Sequence, residues 1–218
     1  MITLGVLVSG GGSNLQAILD AVAAGRLDAK VGVVVSNVAQ AGGLARARAA
    51  GVATAVVDHR GFADRAAFDA AVVETLRAHR VDVVVLAGFM RVVTTTLLDA
   101  FPMRVVNVHP ALLPSFPGLH GPRQALAYGV KVSGCTVHFV DAGTDTGPVI
   151  AQAAVPVLEG DDEARLAARI LEQEHALLPR ALQWISEGRV RVAPPGEGAG
   201  RARVTVSAQG EGQGEGER

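Results

Sequence analysis

Cysteine is almost absent from this sequence, because Cys135 is the only one among 218 residues. An intrachain disulfide therefore cannot form, and a cluster of thiolate metal ligands is excluded. A basic excess is missing too, since 20 Lys and Arg residues face 21 Asp and Glu residues, for a net charge of -1. Proteins that bind nucleic acids carry a clear basic excess, so that function is not favoured. A small anionic ligand needs only a local pocket and stays possible.

Long apolar runs and targeting segments are also missing. No apolar stretch reaches the roughly 18 residues that suggest a membrane span. The N-terminus starts a strand-like run at once, without a basic region or a small-residue cleavage site. We therefore expect a soluble cytoplasmic protein that contacts neither a membrane nor nucleic acid. Apolar residues make up 49% of the chain, which is ample for a core that needs no disulfide or metal.

What is present is a regular alternation of short apolar strands and helical patterns. Strands are predicted at residues 2–8, 31–35, 54–57, 81–87 and 104–108, with amphipathic helical patterns after the first three. Strands without polar alternation are typical of parallel sheets that are covered by helices on both faces. The sequence therefore predicts the α/β class, with a doubly wound, mostly parallel, Rossmann-like sheet.

The second half of the chain departs from this rhythm. A proline-rich loop is predicted to follow the fifth strand, then an antiparallel strand pair at 132–140 and 149–157, and a long helix at 161–187. From residue 193 to 218 the composition falls to mostly Gly, Glu, Arg, Ala and Gln. Such a segment cannot bury enough apolar surface to offset its ordering entropy. We predict one folded domain over residues 1–192 and a largely disordered tail over 193–218.

The first segment that could carry chemistry is the glycine turn, residues 10–14, which follows the first strand. Ligands of open α/β sheets bind at the carboxyl ends of the strands, and a helix N-terminus there offers N–H groups to an anion. No lysine follows a glycine, so a Walker loop is excluded, and Leu15 replaces the third glycine of a dinucleotide fingerprint. The turn is either a phosphate site of another kind or a tight structural turn.

The second segment is Asn107-Val108-His109-Pro110, at the end of the fifth predicted strand. The alternation of side chains along a strand puts Asn107 and His109 on the same side of the chain. An asparagine amide can stabilise a developing oxyanion, and a histidine exchanges protons near neutral pH. A histidine that caps the strand end through backbone hydrogen bonds is an equally good interpretation of the spacing alone.

The third segment is the aspartate loop, residues 141–148, with the sequence Asp-Ala-Gly-Thr-Asp-Thr-Gly-Pro. Its two carboxylates could bind a metal, orient a histidine or form Asx turns, and taken alone the turn interpretation is favoured. EF-hand spacing is absent. Between the second and third segments lie Cys135, expected to be a buried thiol, and His138, expected to be structural because it lies within a strand.

Together these segments resemble the phosphoribosylglycinamide formyltransferases of the folate-dependent formyltransferase family. The resemblance covers about residues 1–192, in order and without large gaps. Its motifs are Val8-Ser9-Gly10-Gly11-Gly12-Ser13-Asn14-Leu15-Gln16-Ala17-Ile18, Leu86-Ala87-Gly88-Phe89-Met90-Arg91, Asn107-Val108-His109-Pro110-Ala111-Leu112-Leu113-Pro114, Asp141 to Gln152, and Gln173-Glu174-His175.

The resemblance implies a catalytic domain over residues 1–192 and a role for each matching position. Asn107, His109 and Asp145 match the family's catalytic residues. Four positions match the site of the ribonucleotide substrate, with its phosphate at the first three: Gly12, Ser13, Asn14 and Glu174. Nine positions match the folate side: Arg65, Met90, Arg91, Val92, Val93, Asp141, Ala142, Gly143 and Thr144.

The implied reaction is transfer of the formyl group of 10-formyltetrahydrofolate to the amine of glycinamide ribonucleotide, in purine biosynthesis. The amine attacks the formyl carbon, Asn107 and protonated His109 stabilise the charge on the formyl oxygen, and Asp145 favours the imidazolium. No metal is implied, the expected partners are these small molecules, and a monomer or homodimer is expected. Two alternatives stay open: a formyltetrahydrofolate deformylase, and a non-catalytic protein that binds a phosphate ligand.

Overall fold

The computed structural model describes residues 1–194 and 201–208. It contains a seven-stranded sheet with the strand order β3-β2-β1-β4-β5-β6-β7, and a separate two-stranded sheet of β8 and β9. The strands are β1 (Ile2–Val8), β2 (Ala29–Ser36), β3 (Thr54–Val56), β4 (Val83–Leu86), β5 (Val105–His109), β6 (Val132–Phe139), β7 (Val149–Pro156), β8 (Val190–Ala193) and β9 (Arg203–Val206). The helices are α1 (Ser13–Ala23), α2 (Gly42–Ala49), α3 (Arg65–Ala78), α4 (Thr95–Ala100), α5 (Gly121–Tyr128) and α6 (Glu163–Ser186).

The first five strands are parallel, and the central strands β1 and β4 are buried on both faces, whereas the edge strand β3 is partly exposed. Successive residues of a strand point to opposite faces, so Val83 and Val85 of β4 join one apolar cluster while Val84 and Leu86 join the other. Helices α1, α2 and α6 cover the first cluster, and α3 and α4 cover the second. The prediction of a doubly wound, mostly parallel sheet is therefore confirmed.

The antiparallel pair predicted after the fifth strand is also present. Strand β6 runs antiparallel to β5, and β7 runs antiparallel to β6, so the pair extends the main sheet. Two short helices depart from the prediction: α4 was not foreseen, and α5 begins inside the segment that was predicted as an extended loop. Pro122 lies in the first turn of α5, where its missing N–H has no intrahelical partner to lose.

Strand β9 departs from the prediction of a largely disordered tail. Its residues pair with β8 in an antiparallel ladder in which Val192 lies opposite Val204. Val190 and Val204 also pack against the main core, and this contact supplies burial that the composition of the segment did not suggest. The rest of the predicted tail, residues 195–200 and 209–218, lies outside the described residues.

Candidate active site

The glycine turn and the Asn107–His109 segment lie at one edge of the sheet because the strands β1 and β5 both run parallel to β4. The aspartate loop follows β6, which runs antiparallel to β5, and it joins the site through the contact of Asp145 with His109. Strand β4 pairs with β1 on one side and with β5 on the other, all in parallel. Their carboxyl ends therefore lie along one edge, and adjacent strands are about 4.8 Å apart. The order changes direction between β1 and β4, which is the position where ligands bind in doubly wound sheets.

The glycine turn is shaped by the close approach of two helices. Gly12 has a left-handed backbone with φ of 73°, and a Cβ atom at this position would lie 2.6 Å from the Cα atom of Gly43 in α2. No side chain caps the N-terminus of α1. Its first N–H groups are therefore left for solvent or an anion. The turn is thus structurally tight, and it is also suited to an anionic ligand.

A pocket of about 370 Å³ adjoins this turn. Arg46 shapes it by donating from Nε to the Gly11 carbonyl and from Nη1 to Gln16 Oε1, over 2.8 and 3.2 Å. The lining residues are Ser13, Gln16, Ala17, Asp20, Arg26, Arg46 and His175. The guanidinium of Arg46 beside the N-terminus of α1 makes this part of the site suitable for a phosphate.

Asn14 connects the turn to α6. Its Nδ2 atom donates to Glu174 Oε2 over 2.7 Å, and both side chains are buried. Burial raises the pKa of the Glu174 carboxyl, and the hydrogen bond from Asn14 opposes this effect. The Asn14 Oδ1 atom is buried without a partner among the described residues. The Asn14 side chain is therefore occupied by its hydrogen bond to Glu174, and the backbone N–H of Asn14 is the group that faces the turn.

The imidazole cluster consists of Asn107, His109, His138 and Asp145, and it brings the second and third segments into contact. His109 Nδ1 lies 3.3 Å from Asp145 Oδ2, and both side chains are nearly buried. His109 Nε2 lies 2.8 Å from the Phe116 carbonyl. Both ring nitrogens thus face oxygen acceptors, an arrangement that fits an imidazolium with a proton on each nitrogen.

His138 belongs to this cluster although the sequence suggested only a structural role. Its Nδ1 lies 2.8 Å from the Phe139 carbonyl, its Nε2 lies 3.2 Å from Asn107 Nδ2, and Asp145 Oδ1 is 3.6 Å away. Burial is the main cause that lowers the pKa of the His138 imidazole. In the neutral ring the proton faces the Phe139 carbonyl, so Nε2 accepts from the amide of Asn107.

This contact fixes which way the Asn107 amide points. One N–H of Nδ2 is used by His138, and the second N–H is left to donate to another acceptor. His138 lies directly opposite Asn107 in the β5–β6 ladder. Pairing the predicted fifth strand with the strand at 132–140 in this register would have been the signal for its role.

The aspartate loop is held by its own side chains. Asp141 Oδ1 accepts from the Gly143 N–H over 3.1 Å and from the Thr146 hydroxyl over 2.6 Å, which makes Asp141 a turn-forming residue. Asp145 has a left-handed backbone with φ of 55°, and its Oδ2 atom also accepts from the Gly118 N–H over 2.7 Å. The two carboxylates of the loop therefore have different tasks.

The segment after β4 lies at the same edge and exposes apolar side chains. Met90 and Val92 are 66% and 59% exposed, whereas Val93 is buried. Two hydrogen bonds fix the segment. The Ser9 hydroxyl accepts from the Met90 N–H, and the Asp69 carboxylate accepts from the Thr94 N–H. Two exposed apolar side chains on a fixed segment at the site edge are suited to an aromatic ligand.

The remaining predicted site residues are solvent-accessible. Arg65 is exposed at the start of α3, Arg91 is partly exposed, and residues 141–144 are exposed.

Cys135 is fully buried, and burial raises the pKa of its thiol to about 12, so the thiol takes no part in chemistry at neutral pH. Within residues 1–194 and 201–208, no three His, Cys, Asp or Glu side chains are arranged to hold a metal ion. No helix in these same ranges is long and apolar enough to cross a membrane.

Comparison with known proteins identifies relatives over almost the whole chain. A family model described as formyl transferase matches residues 3–182. The phosphoribosylglycinamide formyltransferase of Escherichia coli is 46% identical over 187 residues, which cover 86% of this chain and 88% of that protein. The crystal structure of glycinamide ribonucleotide transformylase 1 from Symbiobacterium toebii superposes with a TM-score of 0.89 at 54% identity, covering 94% of both chains.

A longer relative shows the same match within a larger protein. The trifunctional purine biosynthetic protein adenosine-3 of Drosophila melanogaster is 49% identical over 191 residues. The matched region covers 87% of this chain but only 14% of that protein, so the chain spans about a seventh of its length.

Proposed function

Because the chain belongs to the formyl transferase family, we propose that it transfers the formyl group of 10-formyltetrahydrofolate to the amine of 5-phosphoribosylglycinamide, a step of purine biosynthesis. The observation that carries the proposal is the imidazole cluster at the carboxyl edge of the sheet. There Asp145 Oδ2 lies 3.3 Å from His109 Nδ1, and the Asn107 amide is oriented by His138. An oriented amide and a charged imidazole beside a ligand cleft are the groups that formyl transfer requires.

The reaction forms one C–N bond and breaks another. The glycinamide amine attacks the formyl carbon, the formyl oxygen gains negative charge, and the bond from that carbon to N10 of the folate then breaks. The amine loses a proton and N10 gains one, so atoms and charge balance without an external reagent. Asn107 donates its second N–H to the formyl oxygen while the charge is present.

His109 supplies positive charge and exchanges protons. The Asp145 carboxylate and the Phe116 carbonyl lie within reach of its two ring nitrogens, so both nitrogens face acceptors when the ring is protonated. To donate directly, Nε2 must exchange the Phe116 carbonyl for a substrate oxygen or for a bridging water. Only a small ring movement is needed, because Asp145 retains its contact with Nδ1.

The two substrates approach from opposite ends of this edge. The N–H groups at Gly12, Ser13 and Asn14 bind the phosphate of the ribonucleotide, and buried Glu174 faces its glycinamide end. The folate packs on the exposed segment around Met90 and Val92 and on residues 141–144. Arg65 adds a positive charge on the folate side.

A spectroscopic assay with a 10-formylfolate analogue, with and without the ribonucleotide, tests the proposal. We expect loss of the formyl group only when the ribonucleotide is present, with one formylated product formed for each folate released. Loss of the formyl group without the ribonucleotide would instead identify a deformylase. Binding of both ligands without turnover would identify a non-catalytic binding protein, and either result would overturn the proposal.

A further inference from the structure

The segment of residues 201–208 returns to the active site and touches the aspartate loop. Arg201 Nη2 donates to the Asp145 carbonyl over 3.0 Å. The segment is anchored beyond this point, because β9 pairs with β8 and Val204 packs on the main core. At its far end the Ser207 carbonyl accepts from Arg189 Nε over 2.7 Å. Arg201 is therefore presented to Asp145 by a fixed strand.

This contact completes the fixation of Asp145. Its carboxylate is held by the Gly118 N–H, His109 and His138, and these contacts orient the side chain. Its backbone lies in the left-handed region, which a residue with a Cβ atom adopts only when its surroundings hold it there. The hydrogen bond from Arg201 to the Asp145 carbonyl adds a contact to the peptide plane that follows this residue.

Arg201 is poorly suited to a purely structural role. Its Nη1 atom is shielded from solvent and has no hydrogen-bond partner among the described residues. A charged N–H that is buried without an acceptor costs stability. A contact that served stability alone would be made better by an apolar side chain of similar length.

We propose that Arg201 is a positioning residue for formyl transfer, and that its hydrogen bond to the Asp145 carbonyl keeps the Asp145 carboxylate against His109. The inference rests on the proposed function. Without this contact the backbone of Asp145 can leave the left-handed conformation. The Asp145 carboxylate then moves away from the His109 imidazole. Arg201 touches no reacting atom in this account and acts only through Asp145.

The charge of Arg201 supports the same arrangement from a second direction. Burial is the largest cause of the lowered pKa of His138, and the charges of His109 and Arg201 lower it further. The hydrogen bond to Phe139 and the Asp145 carboxylate act in the opposite direction. A neutral His138 keeps Nε2 free to accept from Asn107, so the guanidinium helps to preserve the orientation of that amide.

The experiment compares the full-length chain with its Arg201→Met and Arg201→Lys variants, and with Arg203→Met as the matched control. Arg203 is an exposed arginine two residues further along the chain, at the start of β9. For Arg201→Met we expect kcat to fall about tenfold, as the loss of one charged hydrogen bond predicts. The KM for the ribonucleotide should change by no more than about twofold, because its phosphate binds at the distant turn. Arg201→Lys, which keeps a charged donor, should recover much of kcat, and Arg203→Met should match the unmodified chain.

A stability measurement separates positioning from folding. Because the Nη1 atom of Arg201 is buried without a partner, Arg201→Met should melt no lower than the unmodified chain even though it is slower. An unchanged kcat in Arg201→Met would overturn the proposal. A lower Tm together with a lower kcat and a higher KM would also overturn it, since that pattern is expected of a structural residue.

Hydrogen–deuterium exchange separates failure of this inference from failure of the proposed function. If the unmodified chain does not turn over the ribonucleotide, the proposed function fails, and the exchange of residues 140–148 still tests the anchoring. Faster exchange of this segment in Arg201→Met than in Arg203→Met is the expected result. Equal exchange in the two variants would overturn the inference whether or not the chain is active.

Discussion

At the scale of single residues, the chemistry depends on how acceptors are distributed around two histidines. His109 faces acceptors at both ring nitrogens, the Phe116 carbonyl and the Asp145 carboxylate. His138 faces a carbonyl at one nitrogen and the Asn107 amide at the other, so its neutral form is the better partner. The two imidazoles of one cluster thus have different hydrogen-bond surroundings.

The role of Asp145 can be tested without changing the shape of the site. In Asp145→Asn the side chain keeps its size but loses the charge that stabilises the His109 imidazolium. We expect kcat to fall by at least about 100-fold, the scale of a lost general acid–base contribution, and the same for His109→Ala. Steady-state rates are the measurement, and Asp99→Asn, at an exposed position, is the control. A near-normal rate in either variant would remove that residue from the mechanism.

Buried Glu174 gives a prediction about stability and pH. Burial raises the pKa of its carboxyl above the usual value of 4.5, so the folded chain binds this proton more tightly than the unfolded chain does. The stability of the protein is therefore lowered as the pH rises from about 4.5 through the folded-state pKa. Glu174→Gln removes this penalty, because the amide is neutral and its oxygen still accepts from Asn14.

Thermal melting of Glu174→Gln is the corresponding measurement. We expect the variant to melt at a higher temperature than the unmodified chain at about pH 7.5. The difference should disappear at about pH 4, where the Glu174 carboxyl is mostly protonated in both the folded and the unfolded chain. Glu172→Gln, at an exposed position of the same helix, should show neither effect. A gain in Tm that persists unchanged at about pH 4 would show that the carboxylate charge is not its cause.

At the scale of secondary-structure elements, α6 links the glycine turn to the rest of the protein. It runs over 24 residues and buries Leu166, Ile170, Leu178 and Leu182 against the sheet. The same face presents Glu174 to Asn14. The position of the proposed ribonucleotide site therefore depends on the packing of this helix.

The N-terminus of α6 is capped by Asp162, whose carboxylate accepts from the Arg165 N–H over 2.8 Å. Asp162→Ala removes this cap, and we expect the free energy of unfolding to fall by about 1 kcal/mol. Urea denaturation measures the effect. Asp162→Asn retains a capping oxygen and should lose much less, whereas an equal loss in the two variants would show that the charge matters and the cap does not.

At the scale of the whole molecule, the two proposed substrate regions belong to one folded unit. The glycine turn is built from β1, α1 and α2, and the imidazole cluster from β5, β6 and the aspartate loop. Ligand bound at either region should therefore stabilise the entire fold against unfolding.

Ligand-dependent melting tests this expectation. Glycinamide ribonucleotide at about 100 times its Kd should stabilise the protein by about 2.7 kcal/mol, because it binds the folded chain alone. The corresponding riboside, which lacks the phosphate, should give a clearly smaller shift in Tm at the same concentration. Equal shifts from the two compounds would contradict the assignment of the glycine turn as the phosphate site.

The sequence alone was sufficient to predict the strands of the main sheet and the helices that cover it, except for the short helix α4. Strands that are apolar throughout are stable only when both faces are buried, and Gly residues end several of the intervening helices. The pattern therefore identifies these strands and helices with little ambiguity. The same local signals failed at α5, where the prolines at 110–122 suggested an extended chain. They also failed at β9, because its pairing partner and its core contact lie in distant parts of the sequence.

The sequence also determined which residue types are available for chemistry, since the Asn107–His109 spacing and the two carboxylates of the aspartate loop can be read directly. Only the tertiary structure decided what they contact. It assigned Asp141 to a turn and Asp145 to His109, it added His138 through the register of β5 and β6, and it brought Arg201 to the Asp145 carbonyl. The physical reason is that hydrogen bonds act over about 3 Å, so they depend on strand register and helix packing, which local sequence patterns do not encode.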